Sequence, residues 1–214
     1  DNVGVSIVML SQGVPFFHAG IDMLRSKSFD RDSFNSGDWF NQLDFTYQTD
    51  GWGTGLPVAS KNQDNWPLMQ PFLADESIAP APEDILNAVN HFQEMLAIRR
   101  SSPLFRLETA DDVQARVVFH NTGPDQMPGV IVMSIADGGE LADLDSNYDM
   151  IVVVVNATPD ELNYEAGALA GMSLELHPIQ QNSLDPVVQG SSFDSSTGTF
   201  TVPGRTTAVF VLNQ

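Results

Sequence analysis

The sequence predicts two fold classes in succession, an α/β segment and then an antiparallel β-sandwich. Three observations carry this expectation. A helix-like stretch leads into a short apolar run, "VPFFHAG" (14–20), that ends in glycine. A long polar and aromatic segment without regular period follows, and then one amphipathic helix at 83–101. Beyond Pro103, apolar runs of strand length recur, separated by turn-rich stretches and with no helices between them.

Residues 3–11, "VGVSIVMLS", read as the end of a buried helix with Gly13 at its C-cap. "VPFFHAG" reads as a buried parallel strand, because strands covered on both faces are continuous apolar runs. From 21 to 82 Gly, Pro, Asn, Asp and Trp dominate, broken by short helical turns. A loop of that length inside a compact domain is usually functional. In the helix at 83–101, Ile85, Val89, Phe92 and Leu96 form one stripe, widened by Leu86, Met95 and Ile98. Pro82 suits its start, Glu83 and Asp84 its positive end, Arg99 and Arg100 its negative end, and Pro103 stops it. That charge pattern reads as helix stabilisation.

In the second half "VQARVVFH" (113–120) alternates, with Val113, Ala115, Val117 and Phe119 on one face. Further strands are predicted at 129–135, 150–157, 173–179, 198–204 and 206–213. The division is therefore 1–103 and 104–214. The first piece cannot be a domain by itself, since a single parallel strand has unpaired edges and uncovered faces. It reads as the last strand, long active-site loop and last helix of a larger α/β structure. A (β/α)₈ barrel, about 250 residues long with its site in the loops after the strands, suits this.

The 214 residues are 42% hydrophobic, ample for a packed core. No window approaches a membrane span. Residues 1–20 are apolar but lack a basic leader, so no signal peptide is expected there, and Asp1 opens so directly into a buried-looking segment that upstream chain is expected. With 28 acidic and 9 basic residues the net charge is −19, which excludes nucleic acid and anionic membranes as natural partners. Such a charge reads as a self-repelling surface and leaves the compartment undetermined, an extracellular, cell-surface or periplasmic setting being favoured. Cysteine is absent, so there is no disulfide framework.

Longer motifs are more specific. "LSQGVPFFHAG", "LRSKSFDRDSFNSGDWFNQLDFTY", "NQDNWPLM", "RRSSPLFRL", "VVFHNTGPDQMPGVIVMSI" and "TFTVPGRTTAVFV" together span nearly the whole chain. They closely resemble the C-terminal part of pullulanases and limit dextrinases, the α-1,6-glucan debranching enzymes of glycoside hydrolase family 13 in the α-amylase superfamily. The resemblance implies that residues 1–13 are the seventh barrel helix, 14–20 the eighth strand, 83–101 the eighth helix and 104–214 a C-terminal β-sandwich. At Ile21-Asp22 the sequence departs from relatives, which often carry an acidic residue followed by Glu, so no role is carried over to Asp22.

A glucan offers hydroxyls at its ring edges and apolar C–H faces. Carboxylates, amides and arginine suit the first, aromatic faces the second. "RSKSFDRDSFNSGDWFN" (25–41) and "NQDNW" (62–66) hold that mixture. The resemblance places Arg31 and Asp64 in the sugar-binding cleft, with Asp64 on the non-reducing side of cleavage. Asp32, Asp38, Trp39 and Asn65 are further candidates. Plainer readings stand beside these: Asp38-Trp39-Phe40 as an anchor for the loop, Ser33, Asn35 and Ser36 as loop-forming groups, Trp52 and Trp66 as loop core, His18 as a packed residue.

Retaining glycosidases need two carboxyl groups about 5–5.5 Å apart. The resemblance implies that nucleophile, acid/base and stabilising carboxylates follow strands four, five and seven, all upstream of Asp1, so none is expected here. No GxSxG elbow, Walker loop, HExxH or cysteine ligand set is present, and His91, His120 and His177 lack metal-ligand spacing. "DLDSNYD" (143–149) lacks the glycine and terminal Glu of an EF-hand and reads as a solvated turn. No cofactor is required, Ca²⁺ being left open for the parent protein. The expected partners are α-glucans (pullulan, limit dextrin, branched oligosaccharides) and the missing N-terminal part of the same protein. The alternatives are a non-catalytic glucan-binding module and a structural β-domain. The sandwich strands offer few aromatics for the former, and the polar–aromatic loop argues against the latter.

Overall fold

The computed structural model describes all residues 1–214. In chain order the helices are α1 (Asn2–Leu10), α2 (Asp38–Asn41), α3 (Ala59–Asn62), α4 (Trp66–Leu73), α5 (Pro82–Ser101) and α6 (Ala110–Arg116). Strands follow: β1 (Val117–Phe119), β2 (Val130–Ala136), β3 (Tyr148–Asn156), β4 (Leu162–Glu165) and β5 (Glu175–Leu176). Then come α7 (Pro178–Gln181), α8 (Pro186–Gln189), β6 (Ser192–Asp194), β7 (Thr199–Val202) and β8 (Thr206–Asn213). The chain divides into two compact units, one of residues 1–16 with 91–214 and one of residues 17–90.

The first unit is built on two antiparallel sheets, β1-β2-β3-β8-β5 and β4-β7-β6. Val152 and Val154 of β3, Ala208 and Phe210 of β8, and Leu162, Phe200 and Val202 of the smaller sheet share one core. Each of these valine, leucine and phenylalanine side chains contributes about 1.5–3 kcal/mol of burial. Alternate residues of the same strands, Ile151, Val153, Val209 and Val211, are equally buried, because α1 lies against β3 and β8. A strand covered on both faces reads as a continuous run, which is why "IVVVVN" does not alternate. Asn156 joins the sheets, its Nδ2 donating to the carbonyls of Asp160, Val202 and Pro203. Gln180 continues the ladder where β5 stops: its Nε2 donates to Thr207 O and its Oε1 accepts from Val209 N.

Four expectations need correction. Residues 14–20 form no strand: a strand exists through ladder bonds to a neighbour, this segment has no such partner in the chain, and Val14 and Phe16 are 90% and 92% exposed. Residues 110–116, partly predicted as strand, are helical. Thr109 caps this α6, accepting from Asp112 N at 3.0 Å, and Asp111 and Asp112 favour its positive end. At 173–179 only two residues pair before His177 caps α7. The predicted 143–149 turn ends at Asn147, β3 starting at Tyr148, and within it Asp145 is 2% exposed and accepts from Asn147 N.

The unit of residues 17–90 has a small apolar core of Met23, Ile85 and Val89, with Leu43 and Tyr47 packed on it. Polar side chains organise the rest. Asp44 accepts from the amides of Thr46, Gln48 and Thr49 and from both threonine hydroxyls, so one carboxylate sets the turn 44–49.

Candidate functional site

The site is built on the 25–41 loop. Ser28 and Phe29 sit consecutively in left-handed backbone, with φ 44° and 68°. Such conformations are costly for non-glycine residues and persist only where the surroundings impose them. Here Ser28 Oγ donates to Gly51 O at 3.0 Å, and the Phe29 ring meets Trp52 edge-on at 5.3 Å. Trp52 is thus part of the loop core, while Trp66 donates from Nε1 to Pro57 O.

Beyond Phe29 a polar lattice takes over. Asp30 is buried and accepts from Asp32 N and the Ser36 hydroxyl. Lys27 Nζ donates to Ser33 Oγ at 2.6 Å, and that hydroxyl donates to Asn41 Oδ1 at 2.9 Å. Asn41 Nδ2 in turn donates to the carbonyls of Ser33 and Gly37. Ser33 and Ser36 are therefore structural.

This lattice floors a cleft of about 480 Å³, lined by His18, Arg25, Lys27, Asp30, Arg31, Asp32, Ser33, Phe34 and Asn41. Lys61 of α3 pairs with Asp32 at 2.5 Å and lies 4.8 Å from the centre of the Phe34 ring. His18, read from sequence as packed, is exposed and faces Arg25 Nη2 at 3.4 Å. A second cleft of about 250 Å³ is lined by Arg25, Trp39, Gln42, Asp44, Asp50 and Thr54 among others. Burial pushes the Asp50 carboxyl up, against the opposing N–H of Trp52. Hydrogen bonds from the Thr46 hydroxyl and amide hold Asp44 down at about 2. Arg25 spans both clefts, donating from Nη1 to Asn41 O, while its buried Nε has no partner.

Of the residues singled out in the sequence, Arg31 and Asp32 meet in the first cleft and Trp39 lines the second. Trp39 packs on Phe40 at 3.8 Å and over Gly55, where a Cβ would come within 3.1 Å of the indole. Asp38, Asp64 and Asn65 are exposed and line neither cleft. Sequence reasoning did not single out Lys27, Phe34 or Lys61. For Lys61 no local signal exists, because its partner Asp32 lies 29 residues away. Chemically, the first cleft offers cations, a carboxylate, hydroxyls and an exposed ring, groups suited to a neutral polyhydroxylated ligand. No three His, Cys, Asp or Glu side chains group as metal ligands, and no helix is long and apolar enough to cross a membrane.

Comparison with known proteins gives this geometry a context. Residues 47–213 match the family described as alpha-1,6-glucosidases, pullulanase-type, C-terminal. The chain is 53% identical over 215 residues to the chloroplastic pullulanase 1 of Arabidopsis thaliana, covering 99% of this chain and 22% of that protein. It is 37% identical to a pullulanase of Klebsiella pneumoniae, again over 99% of this chain but 19% of the relative. The crystal structure of the maltotriose complex of PulA from Klebsiella pneumoniae superposes with a TM-score of 0.90 at 39% identity, over 100% of this chain and 23% of that one. The chain spans about a fifth of the length of the curated relatives it matches. It belongs to the C-terminal family of pullulanase-type α-1,6-glucosidases.

Proposed function

We propose that this chain is the C-terminal part of a retaining α-1,6-glucan debranching hydrolase and contributes glucan-binding loops but no catalytic carboxylate. The observation that carries the reading is the whole-length likeness to a pullulanase crystallised with maltotriose. On this reading residues 1–103 complete a catalytic (β/α)₈ barrel supplied by upstream chain, and 104–214 form the appended β-domain. The exposed Val14 and Phe16 then gain neighbours as a barrel strand. Arg31 and Asp64 hold sugar hydroxyls, assisted by Asp32, Asp38, Trp39 and Asn65. The polar–aromatic makeup of the first cleft and the free, exposed carboxylate of Asp64 support this role. The substrates are branched α-glucans such as pullulan and limit dextrin, and no cofactor is needed by the groups present.

The test is a reducing-end assay on pullulan with two proteins, the full-length parent and residues 1–214 alone. The parent turns pullulan over and the isolated chain gives no product above a buffer blank. An inactive parent refutes the debranching assignment. Turnover by the isolated chain refutes the placement of the catalytic carboxylates upstream.

A further inference from the structure

We propose that Phe34 is a stacking platform for one glucosyl ring at the mouth of the first cleft, and that Lys61 positions it. The proposal rests on the glucan-binding reading above and adds to it a contact and a positioning residue.

Phe34 is 84% exposed, so the face of its ring is open to a ligand. Its backbone is nevertheless held on both sides. Ser33, directly before it, is buried and bonded to Lys27 and Asn41. Ser36, two residues on, is buried and donates to Asp30. The ring therefore stands on a rigid short turn, Ser33–Asn35, and is not a loose loop tip. Lys61 completes the arrangement, its ammonium lying 4.8 Å from the ring centre while it pairs with Asp32 at 2.5 Å.

One cation thus aligns an aromatic face and a carboxylate on the same rim. That pair matches the two surfaces of a pyranose, with C–H groups for the ring and hydroxyls for the carboxylate. Because both are held in place before binding, little ordering cost attends it.

The experiment titrates maltotriose into the full-length parent protein and its variants by calorimetry, with melting temperatures alongside. Phe34→Ala weakens binding about tenfold, the scale of one aromatic contact, with an unchanged melting temperature. Phe34→Leu, apolar but not flat, weakens it equally, whereas Phe34→Trp restores it. Lys61→Met weakens binding in part, and Lys61→Arg, which keeps the charge over the ring, rescues it. The proposal is overturned if Phe34→Ala binds normally, if Phe34→Leu binds as well as Phe34→Trp, or if Lys61→Arg fails to rescue. A parent that binds maltotriose but does not cleave pullulan refutes the hydrolase assignment and leaves these arms readable. A parent that does not bind maltotriose overturns the platform as well.

Discussion

Arg99 Nη1, in the last turns of α5, donates to the Met9 carbonyl near the end of α1 at 2.7 Å. The same guanidinium donates to Ser11 O at 2.8 Å and Gly13 O at 2.5 Å. A helix end leaves carbonyls without intrahelical partners. Arg99 satisfies one of α1, Met9 O, and two of the segment that follows it, a different service from the dipole role that its position on α5 suggests.

Replacing Arg99, which is 5% exposed, strands the buried Met9 carbonyl and loses two further bonds to the turn that follows α1. Arg99→Met in the full-length protein should destabilise the fold by about 3 kcal/mol. Arg99→Lys should recover only part, because an ammonium lacks the planar fork. Thermal melts of the three proteins decide it, and an unchanged transition in Arg99→Met would show the contact to be idle.

The Asp44 carboxylate organises the 44–49 turn in its charged form, held down from 3.8 to about 2 by the Thr46 hydroxyl and amide and then by the amides of Thr49 and Gln48. Because the folded value is depressed, its contribution is present above 3.8 and lost only as pH falls through about 2. Asp44→Asn should accelerate amide exchange at Thr46, Gln48 and Thr49 at neutral pH. Exchange as slow as in the parent would mean that the turn is set by something else.

His177 is buried, with Nδ1 accepting from Ile179 N at 3.2 Å, Nε2 at 3.0 Å from the Ser101 hydroxyl, and the Tyr148 ring 5.8 Å away. Burial lowers its pKa from 6.5 to about 4. The unfolded chain then takes the proton first, so stability is complete above 6.5 and falls as pH drops toward about 4. The loss attributable to this group is about 3 kcal/mol. His177→Asn, which keeps a cap for α7 but does not titrate, should flatten the melting temperature against pH in that window. Parallel curves for the two proteins would remove His177 from the account.

Asp64 is exposed and free of intrachain partners, so removing it should spare the fold. If it grips sugar hydroxyls, Asp64→Ala lowers kcat/KM on pullulan about ten- to a hundredfold, the worth of a charge-assisted contact. Arg31→Ala should act similarly. The control is Asp125→Ala, an exposed carboxylate in the first unit. Asp145 would be a poor control, because it is 2% exposed. Full activity in Asp64→Ala, or loss in step with a collapsed melting temperature, would make the 62–66 segment scaffold.

What the sequence determined by itself was whatever depends on local chemistry or on long motifs. Helix α5 was legible because its apolar stripe, acidic start and proline stop all lie within one segment. β2, β3 and β8 were legible because burial on both faces leaves continuous apolar runs. The pullulanase-type family was legible because its motifs run nearly the whole length of the chain. Tertiary structure alone decided the contacts whose partners lie far apart. Nothing near Arg99 in the sequence points to Met9, and nothing near Lys61 points to Asp32. The alternation at 113–120 predicts a strand, but residues 110–116 are helical, capped by Thr109 through Asp112 N. The 14–20 run shows the limit most plainly. Its apolar residues are local, but a strand is a relation between neighbours, and no neighbouring strand pairs with it in this chain. The site divides in the same way: residue types that suit a glucan could be read along the chain, whereas the clefts and the Lys61 contact arise only when separate segments meet.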